Sequence, residues 1–280
     1  MTYGEWLNIA SKEFAAIGIE SARLDSLMLL EFVTNTNRAY ILANPENPLQ
    51  GQSLQRLNKL LERRKNREPI AYIIGKKEFY GRQFIVNKKV LVPRPESEDF
   101  INLLKDILCN KTSFSEVRNL EKKRLIDVGT GSGCLAITAK LEFPDIEVFG
   151  SDKSESALSV ANSNSKNLDA EVTFKKSDLL SNEPVGSIDI IFANLPYVPF
   201  DYIVSKEVIS EPSEAVFANK NGLDLIFNLA PQAHKTLKHN GILFIESLPE
   251  QQLIIKNLYK KSGFKFINKA GLVQVFLKSN

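Results

Sequence analysis

The chain has 280 residues and is 43% hydrophobic, enough to build one sizeable core and a smaller second one. Its 36 Lys and Arg against 33 Asp and Glu leave a net charge of +3, too mild a balance to mark a stable nucleic-acid partner. No apolar stretch reaches membrane-spanning length, residues 1–6 lack the basic-then-apolar pattern of a signal peptide, and Cys109, Cys134, His234 and His239 without a CxxC offer no structural metal site. A reducing, cytoplasmic setting with no membrane partner is the expectation.

Residues 3–14, 21–33 and 54–64 carry apolar side chains at helical spacing, with Ser21 as the expected N-cap of the second helix and Asp25 in its early turns. The turn-rich stretch 44–48 separates the second from the third. A bundle of about 65 residues sits near the lower size limit for independent stability. It reads first as a packing or dimerisation module and second as a substrate-recognition cap. Residues 69–93 change character: Tyr72-Ile73-Ile74 and Phe84-Ile85-Val86 are strand-like, with Gly75 and Gly81 between them. Val90-Leu91-Val92 is a further short strand stopped by Pro93. A hairpin bridging two domains accounts for them most simply. Arg94-Pro95-Glu96-Ser97-Glu98 then leads into a helix over 100–108, where Pro95 suits a helix start because its missing donor is not needed there. The polar stretch 111–123 loops back towards a sheet.

From Arg124 onward the pattern alternates. Strands are expected over 125–128, 146–149, 172–174, 188–192 and 242–246, and helices over 135–141, 155–162, 223–237 and 251–260. Residues 264–267 and 273–277 finish the sheet as an antiparallel pair. The fold class is therefore α/β, a Rossmann-like seven-stranded domain covered on both faces, preceded by a small helical domain and a linking hairpin. The connection 199–221 is long and lies on the side where open sheets bind ligands, which makes it a functional candidate.

Asp127-Val128-Gly129-Thr130-Gly131-Ser132-Gly133 follows a short apolar strand and opens a helix. Glycine lets such a loop turn sharply and approach a ligand, but dehydrogenases use related loops. Asp127 would oppose a pyrophosphate and suit the ammonium end of S-adenosyl-L-methionine. Asp152, about 20 residues after the last glycine, stands where a carboxylate binds both ribose hydroxyls. Asp178, after the third strand, suits the adenine amino group or a helix cap equally. Phe149 and Leu179 fit either the adenine pocket or the core.

Asn194-Leu195-Pro196-Tyr197 follows the apolar strand 188–193. The Asn194 side-chain carbonyl and the Leu195 backbone carbonyl can accept the two hydrogens of a planar NH2 group, with Tyr197 walling its plane. Pro196 restrains Leu195 towards an extended backbone. No His, Cys or Lys nucleophile is needed, because an activated methyl group requires mainly alignment.

With these residues in view, the chain resembles the peptide chain release factor glutamine methyltransferase family over nearly its whole length. The resemblance rests on Arg67-Glu68-Pro69-Ile70-Ala71-Tyr72-Ile73-Ile74-Gly75, Glu78-Phe79-Tyr80-Gly81 and Val90-Leu91-Val92-Pro93-Arg94-Pro95-Glu96-Ser97-Glu98. The glycine loop, Asp152 with 157–162, and Glu211-Pro212 through Gly222-Leu223 extend it. It implies methylation of the glutamine amide in the Gly-Gly-Gln loop of class I release factors, with those factors as partner and S-adenosyl-L-methionine as cofactor. It implies a helical recognition domain over 1–68, a hairpin linker over 69–95 and a methyltransferase domain over 96–280, acting as a monomer. Asn194, Leu195, Pro196 and Tyr197 would hold the substrate and carry catalysis. Asp127, Gly129, Thr130, Gly131, Gly133, Asp152, Asp178 and Asn194 would hold the cofactor, and Arg94 and Glu98 would shape the substrate side. No metal is implied. Leu195 stands where the family pattern has proline, and Leu248 where it has a glycine-containing turn. Asn-Leu-Pro-Tyr is also similar to the motif of ribosomal RNA adenine dimethyltransferases. The alternatives are therefore a ribosomal protein glutamine, a nucleic-acid adenine, or a non-catalytic binding protein of the translation machinery.

Overall fold

The computed structural model describes residues 1–109 and 123–279, so the loop expected over 111–123 lies almost wholly outside the described residues. The chain divides into two units, Met1–Lys76 with Ser205–Ser210, and Lys77–Val204 with Glu211–Asn280.

The first unit is helical, with α1 (Tyr3–Ala16), α2 (Ala22–Thr34), α3 (Arg38–Ala43), α4 (Gly51–Lys65) and α5 (Ile70–Ile74). A reciprocal capping box starts α1: Glu5 N–H donates to the Thr2 hydroxyl, and Thr2 N–H donates to the Glu5 carboxylate. Ser21 precedes α2 but its side chain makes no capping bond. Trp6, Phe14, Leu29, Leu30, Ile41 and Leu57 are buried together as the core. Asp25 is buried on α2, where its carboxylate accepts from Arg64 Nε at 2.7 Å. Arg64 also reaches Glu207 of Ser205–Ser210, as does Arg67. Tyr72-Ile73-Ile74 is helix rather than strand: Pro69 opens the turn and Gly75, at φ 82°, closes it in the left-handed region.

The second unit begins with a hairpin, β1 (Lys76–Phe79) and β2 (Arg82–Ile85), whose buried Phe79 and Phe84 join one sheet-face core. Residues 90–92 form no strand; Val92 N–H donates to the Glu211 carboxylate at 2.9 Å instead of to a ladder. After α6 (Asp99–Cys109) come β3 (Arg124–Val128), α7 (Cys134–Glu142), β4 (Glu147–Asp152), α8 (Glu155–Asn167), β5 (Val172–Lys176) and β6 (Ile188–Ala193). The long connection contains β7 (Val198–Pro199), the short α9 (Lys206–Ile209) and α10 (Ser213–Val216), β8 (Phe217–Ala218) and the turn α11 (Asn219–Gly222). Then α12 (Asp224–Thr236), β9 (Leu237–Glu246), α13 (Gln252–Lys261), β10 (Phe264–Ala270) and β11 (Val273–Lys278) complete the chain.

The sheet has seven strands in the order β10-β11-β9-β6-β3-β4-β5, parallel except for β11, which runs antiparallel to both its neighbours. Successive side chains of a strand face opposite sides. Ile190 and Phe192 of β6 accordingly enter one core, and Ile191 and Ala193 the other. Both faces are apolar because helices cover both. The chain runs outward from β3 to β4 and β5, then crosses back to β6 on the other side of β3. That reversal creates a crevice at the carboxyl ends of β3 and β6, the place where open α/β sheets bind ligands.

Candidate active site

Val128 pairs in register with Ala193, so the residues that leave the sheet next, Gly129 and Asn194, emerge on adjacent strands at the crevice. A cleft of about 1100 Å³, open to solvent, occupies this point; Val128 to Ser132, Asp152, Asp178, Leu179 and Asn194 to Pro196 are among its walls.

Gly129 and Gly131 adopt positive φ (72° and 54°), and Gly129 N–H and Thr130 N–H both donate to the Ser151 carbonyl, tying the loop to β4. A Cβ on Gly129 would also meet the Leu195 side chain at 3.0 Å. Asp127 is buried beneath the loop and accepts from the Thr130 hydroxyl at 2.6 Å. Burial pushes its carboxyl up to about 7; the Thr130 hydroxyl and the Ala136 N–H oppose the rise, and the nearby Asp152 adds to it. A buried carboxylate held only by neutral donors fits the ammonium group of S-adenosylmethionine. Asp152, at the end of β4, accepts from Gly131 N–H at 3.0 Å and Ser154 N–H at 2.9 Å while lining the cleft. These bonds fix its orientation and leave lone pairs for ribose hydroxyls. Asp178 is exposed at the cleft, and its side chain has no hydrogen-bond partner among the described residues. Its backbone carbonyl, not its carboxylate, accepts from Ser181 N–H, so it is not a helix cap. The residues present therefore fit an adenosyl cofactor.

On the β6 side, Asn194 Nδ2 donates to Ser97 Oγ at 2.8 Å. The Ser97 hydroxyl donates to Glu246 Oε2 at 2.7 Å, and the Tyr197 hydroxyl to Glu246 Oε1 at 2.9 Å. No donor among the described residues reaches Asn194 Oδ1 or the Leu195 carbonyl. Both residues line the cleft, so two acceptors without a protein donor stand on adjacent residues of its wall. Burial raises the Glu246 carboxyl above its ordinary range, with the Ser97 and Tyr197 hydroxyls and, more weakly, the Asn194 carboxamide opposing. Burial and Glu246 likewise push the Tyr197 hydroxyl up. Gln251 Nε2 donates to the Tyr197 carbonyl at 2.7 Å and to the Asn221 carbonyl at 2.8 Å. Gly222, at φ 80°, lies so close to this turn that a Cβ would sit 1.9 Å from the Tyr197 carbonyl oxygen.

Several expected site residues stand elsewhere. Gly133 does not line the cleft: it starts α7 in the left-handed region, and a Cβ there would crowd Ile137, Ala161 and Phe174, so its role is helix packing. Glu98 Oε1 accepts from Tyr80 N–H at 2.8 Å and so anchors the hairpin turn, away from the cleft lining. Tyr197 is not in the cleft wall; its hydroxyl is turned to Glu246. Phe149 packs in the core under the Arg124 guanidinium, whereas Leu179 does line the cleft. Arg94 lines it too and pairs with the buried Glu211. Ser97, Glu246 and Gln251 escaped the sequence reading. The one available signal was Glu246, an acidic residue ending the wholly apolar run Ile242-Leu243-Phe244-Ile245.

A seven-stranded sheet with one reversed strand, a glycine loop at the switch point and acidic residues at the carboxyl ends of β3 and β4 define an S-adenosylmethionine-dependent methyltransferase of the Rossmann-like class. Family models agree: residues 5–75 match a PrmC N-terminal domain and residues 119–271 a Methyltransferase domain. The chain is 38% identical over 250 residues to the release factor glutamine methyltransferase of Koribacter versatilis, covering 88% of this chain and 86% of that protein. It is 33% identical to that of Neisseria gonorrhoeae, covering 99% and 97%. It is also 33% identical to the bifunctional methyltransferase of Rickettsia bellii, covering 94% of this chain but about half (51%) of that protein. Among solved structures, a methyltransferase from Pyrococcus furiosus superposes with a TM-score of 0.51 at 20% identity, covering 80% of this chain and 99% of that one, a likeness of fold. The chain belongs to the release factor glutamine methyltransferase family.

Proposed function

We propose that this methyltransferase acts on the side-chain amide nitrogen of a protein glutamine, the glutamine of the Gly-Gly-Gln loop in class I release factors. The observation that carries this reading is the pair of acceptors without a protein donor, Asn194 Oδ1 and the Leu195 carbonyl, on adjacent residues that line the cofactor cleft. A primary amide presents two N–H donors in one plane, and two acceptors one residue apart can take both. When bound, S-adenosylmethionine supplies an activated methyl group. The amide nitrogen is a poor nucleophile because its lone pair is delocalised. As positive charge grows on it, its N–H groups become stronger donors and the bonds to Asn194 and Leu195 tighten, which favours the transition state over the ground state. Pro196 and Gln251 hold the backbone that bears the second acceptor.

Incubation with unmodified release factor and labelled cofactor, followed by peptide mass spectrometry, should place one methyl group on the Gly-Gly-Gln peptide. Label found only on a ribosomal protein, or label sensitive to nuclease, would move the substrate to the corresponding alternative. The helical unit supplies the wider surface that recognition of a protein substrate needs beyond a glutamine pocket. Among the described residues, no helix is long and apolar enough to cross a membrane, and no cluster of His, Cys, Asp and Glu could hold a metal.

A further inference from the structure

We propose that Ser97 and Glu246 are positioning residues that set which end of the Asn194 carboxamide faces the substrate. This rests on the amide-gripping reading above and adds what makes that grip directional.

A carboxamide is nearly symmetric in shape, so packing alone does not decide between its oxygen and its nitrogen. Proton counting decides it here. While ionised, the Glu246 carboxylate has no proton to give, and it contacts two hydroxyls, Ser97 at 2.7 Å and Tyr197 at 2.9 Å. Both hydroxyls must therefore donate to it. Ser97 has one proton, already directed to Glu246, so its oxygen can only accept from Asn194 at 2.8 Å. Only the NH2 end of Asn194 can meet that oxygen. Its carbonyl oxygen is thereby turned away from Ser97 and left for an incoming N–H. Ser97 lines the cleft while Glu246 lies behind it, 2% exposed.

The same count predicts how the device fails. If Glu246 gains a proton on Oε2, that O–H stays on the carboxyl and donates its hydrogen bond to Ser97 Oγ. The Ser97 hydroxyl rotates and donates to the amide, which now needs its oxygen there. Asn194 turns over, and its NH2 group opposes the substrate NH2. One proton is taken up, and no covalent bond other than O–H changes. The charged and titratable groups around Glu246 are few. Glu96 and Ser97 come from the turn before α6, Tyr197 from the turn after β6, and Cys134 from the start of α7. Arg94 acts on Tyr197 and is paired with Glu211. Val273 of β11 pairs with Glu246 in the sheet. Burial and Glu96 both favour the neutral acid, so the reversal lies above the ordinary carboxylate range.

The test is steady-state turnover on intact release factor at saturating cofactor, with cofactor affinity measured separately. Wild-type kcat should fall on acidification along a limb above the ordinary glutamate range, near pH 4.3. Ser97→Ala should lower kcat by roughly 10- to 100-fold, leave cofactor affinity unchanged and abolish the acidic limb. Ser97→Thr, which keeps the hydroxyl, should recover most of the turnover and restore the limb. A flat wild-type kcat down to about pH 5 overturns the proposal without any variant, so misfolding cannot shelter it. So does Ser97→Ala with wild-type kcat or an unchanged limb. If Asn194→Ala retains wild-type turnover as well, the amide grip itself is wrong. If Asn194→Ala is impaired and Ser97→Ala is silent, only the orienting role falls.

Discussion

Asn194 and Asp152 do different work, and kinetics should separate them. Asn194→Ala removes an acceptor whose bond strengthens during transfer, so turnover should fall by roughly 100-fold or more while cofactor affinity changes little. Asp152→Ala should do the reverse. Loss of a charged hydrogen-bond partner weakens cofactor binding by about 1.5–3 kcal/mol, measurable by calorimetry, and it also releases Gly131 N–H and Ser154 N–H. Asp127 gives a pH signature of opposite sign in stability and binding. Its carboxyl ordinarily titrates near 3.8 and here near 7. The folded protein holds that proton more tightly than the unfolded chain. The resulting stability is fully present below the ordinary range and is lost as pH rises through about 7. Cofactor-free protein should therefore lose melting temperature between about pH 4 and pH 7 relative to Asp127→Asn, while cofactor affinity rises as the carboxylate forms. A melting series at several pH values checks the first, and a binding series the second. The glycine loop, the acids after each strand and Asn194 were legible because they sit at fixed offsets from apolar strands. Ser97 and Glu246 were not, because they are 149 residues apart and meet only across the folded unit.

Elements were read best where periodicity is long. All seven strands of the sheet were placed, and the final antiparallel pair with them. Two short apolar runs misled. The run over 72–74 is one aromatic and two β-branched residues, but the proline before it and the glycine after it bracket a helical turn. The run over 90–92 gives its backbone donor to a carboxylate from a distant loop, which no local pattern encodes. The six-residue α3 went unread because it is too short for a periodic signal. At this scale the sharpest test is Gly222→Ala. Its φ of 80° and a Cβ 1.9 Å from the Tyr197 carbonyl oxygen leave no space to relax locally. The variant should lose roughly 3 kcal/mol or more of stability, or displace the Asn194 turn and with it turnover. Calorimetric melting and kinetics together detect either result. In the helical unit, Arg64→Ala should cost about 3–5 kcal/mol, because it strands the buried Asp25 carboxylate.

For the whole molecule, division of labour is the prediction that matters. Fragment 77–280 holds the entire cleft lining, so it should keep cofactor binding and lose affinity for release factor. It also strips Glu207 of its two arginine partners, Arg64 and Arg67, so Ser205–Ser210 should become the first site of proteolytic nicking. Limited proteolysis of fragment and full chain side by side would reveal this. Cutting before Lys77 rather than Pro69 is preferable, because α5 belongs to the helical unit.

Gln251 grips Tyr197 and Asn221, the residues at either end of the segment 198–220. One side chain thus cinches a loop at its neck, and the loop itself has two parts of different freedom. Glu211, Pro212, Glu214 and Ala215 are tied to the cleft, through Arg94 and Val92 or by lining it directly, so a change there reaches the reacting groups. Residues 199–204 line none of it, so their length and composition can drift to suit a different protein surface while the chemistry beneath keeps its calibration.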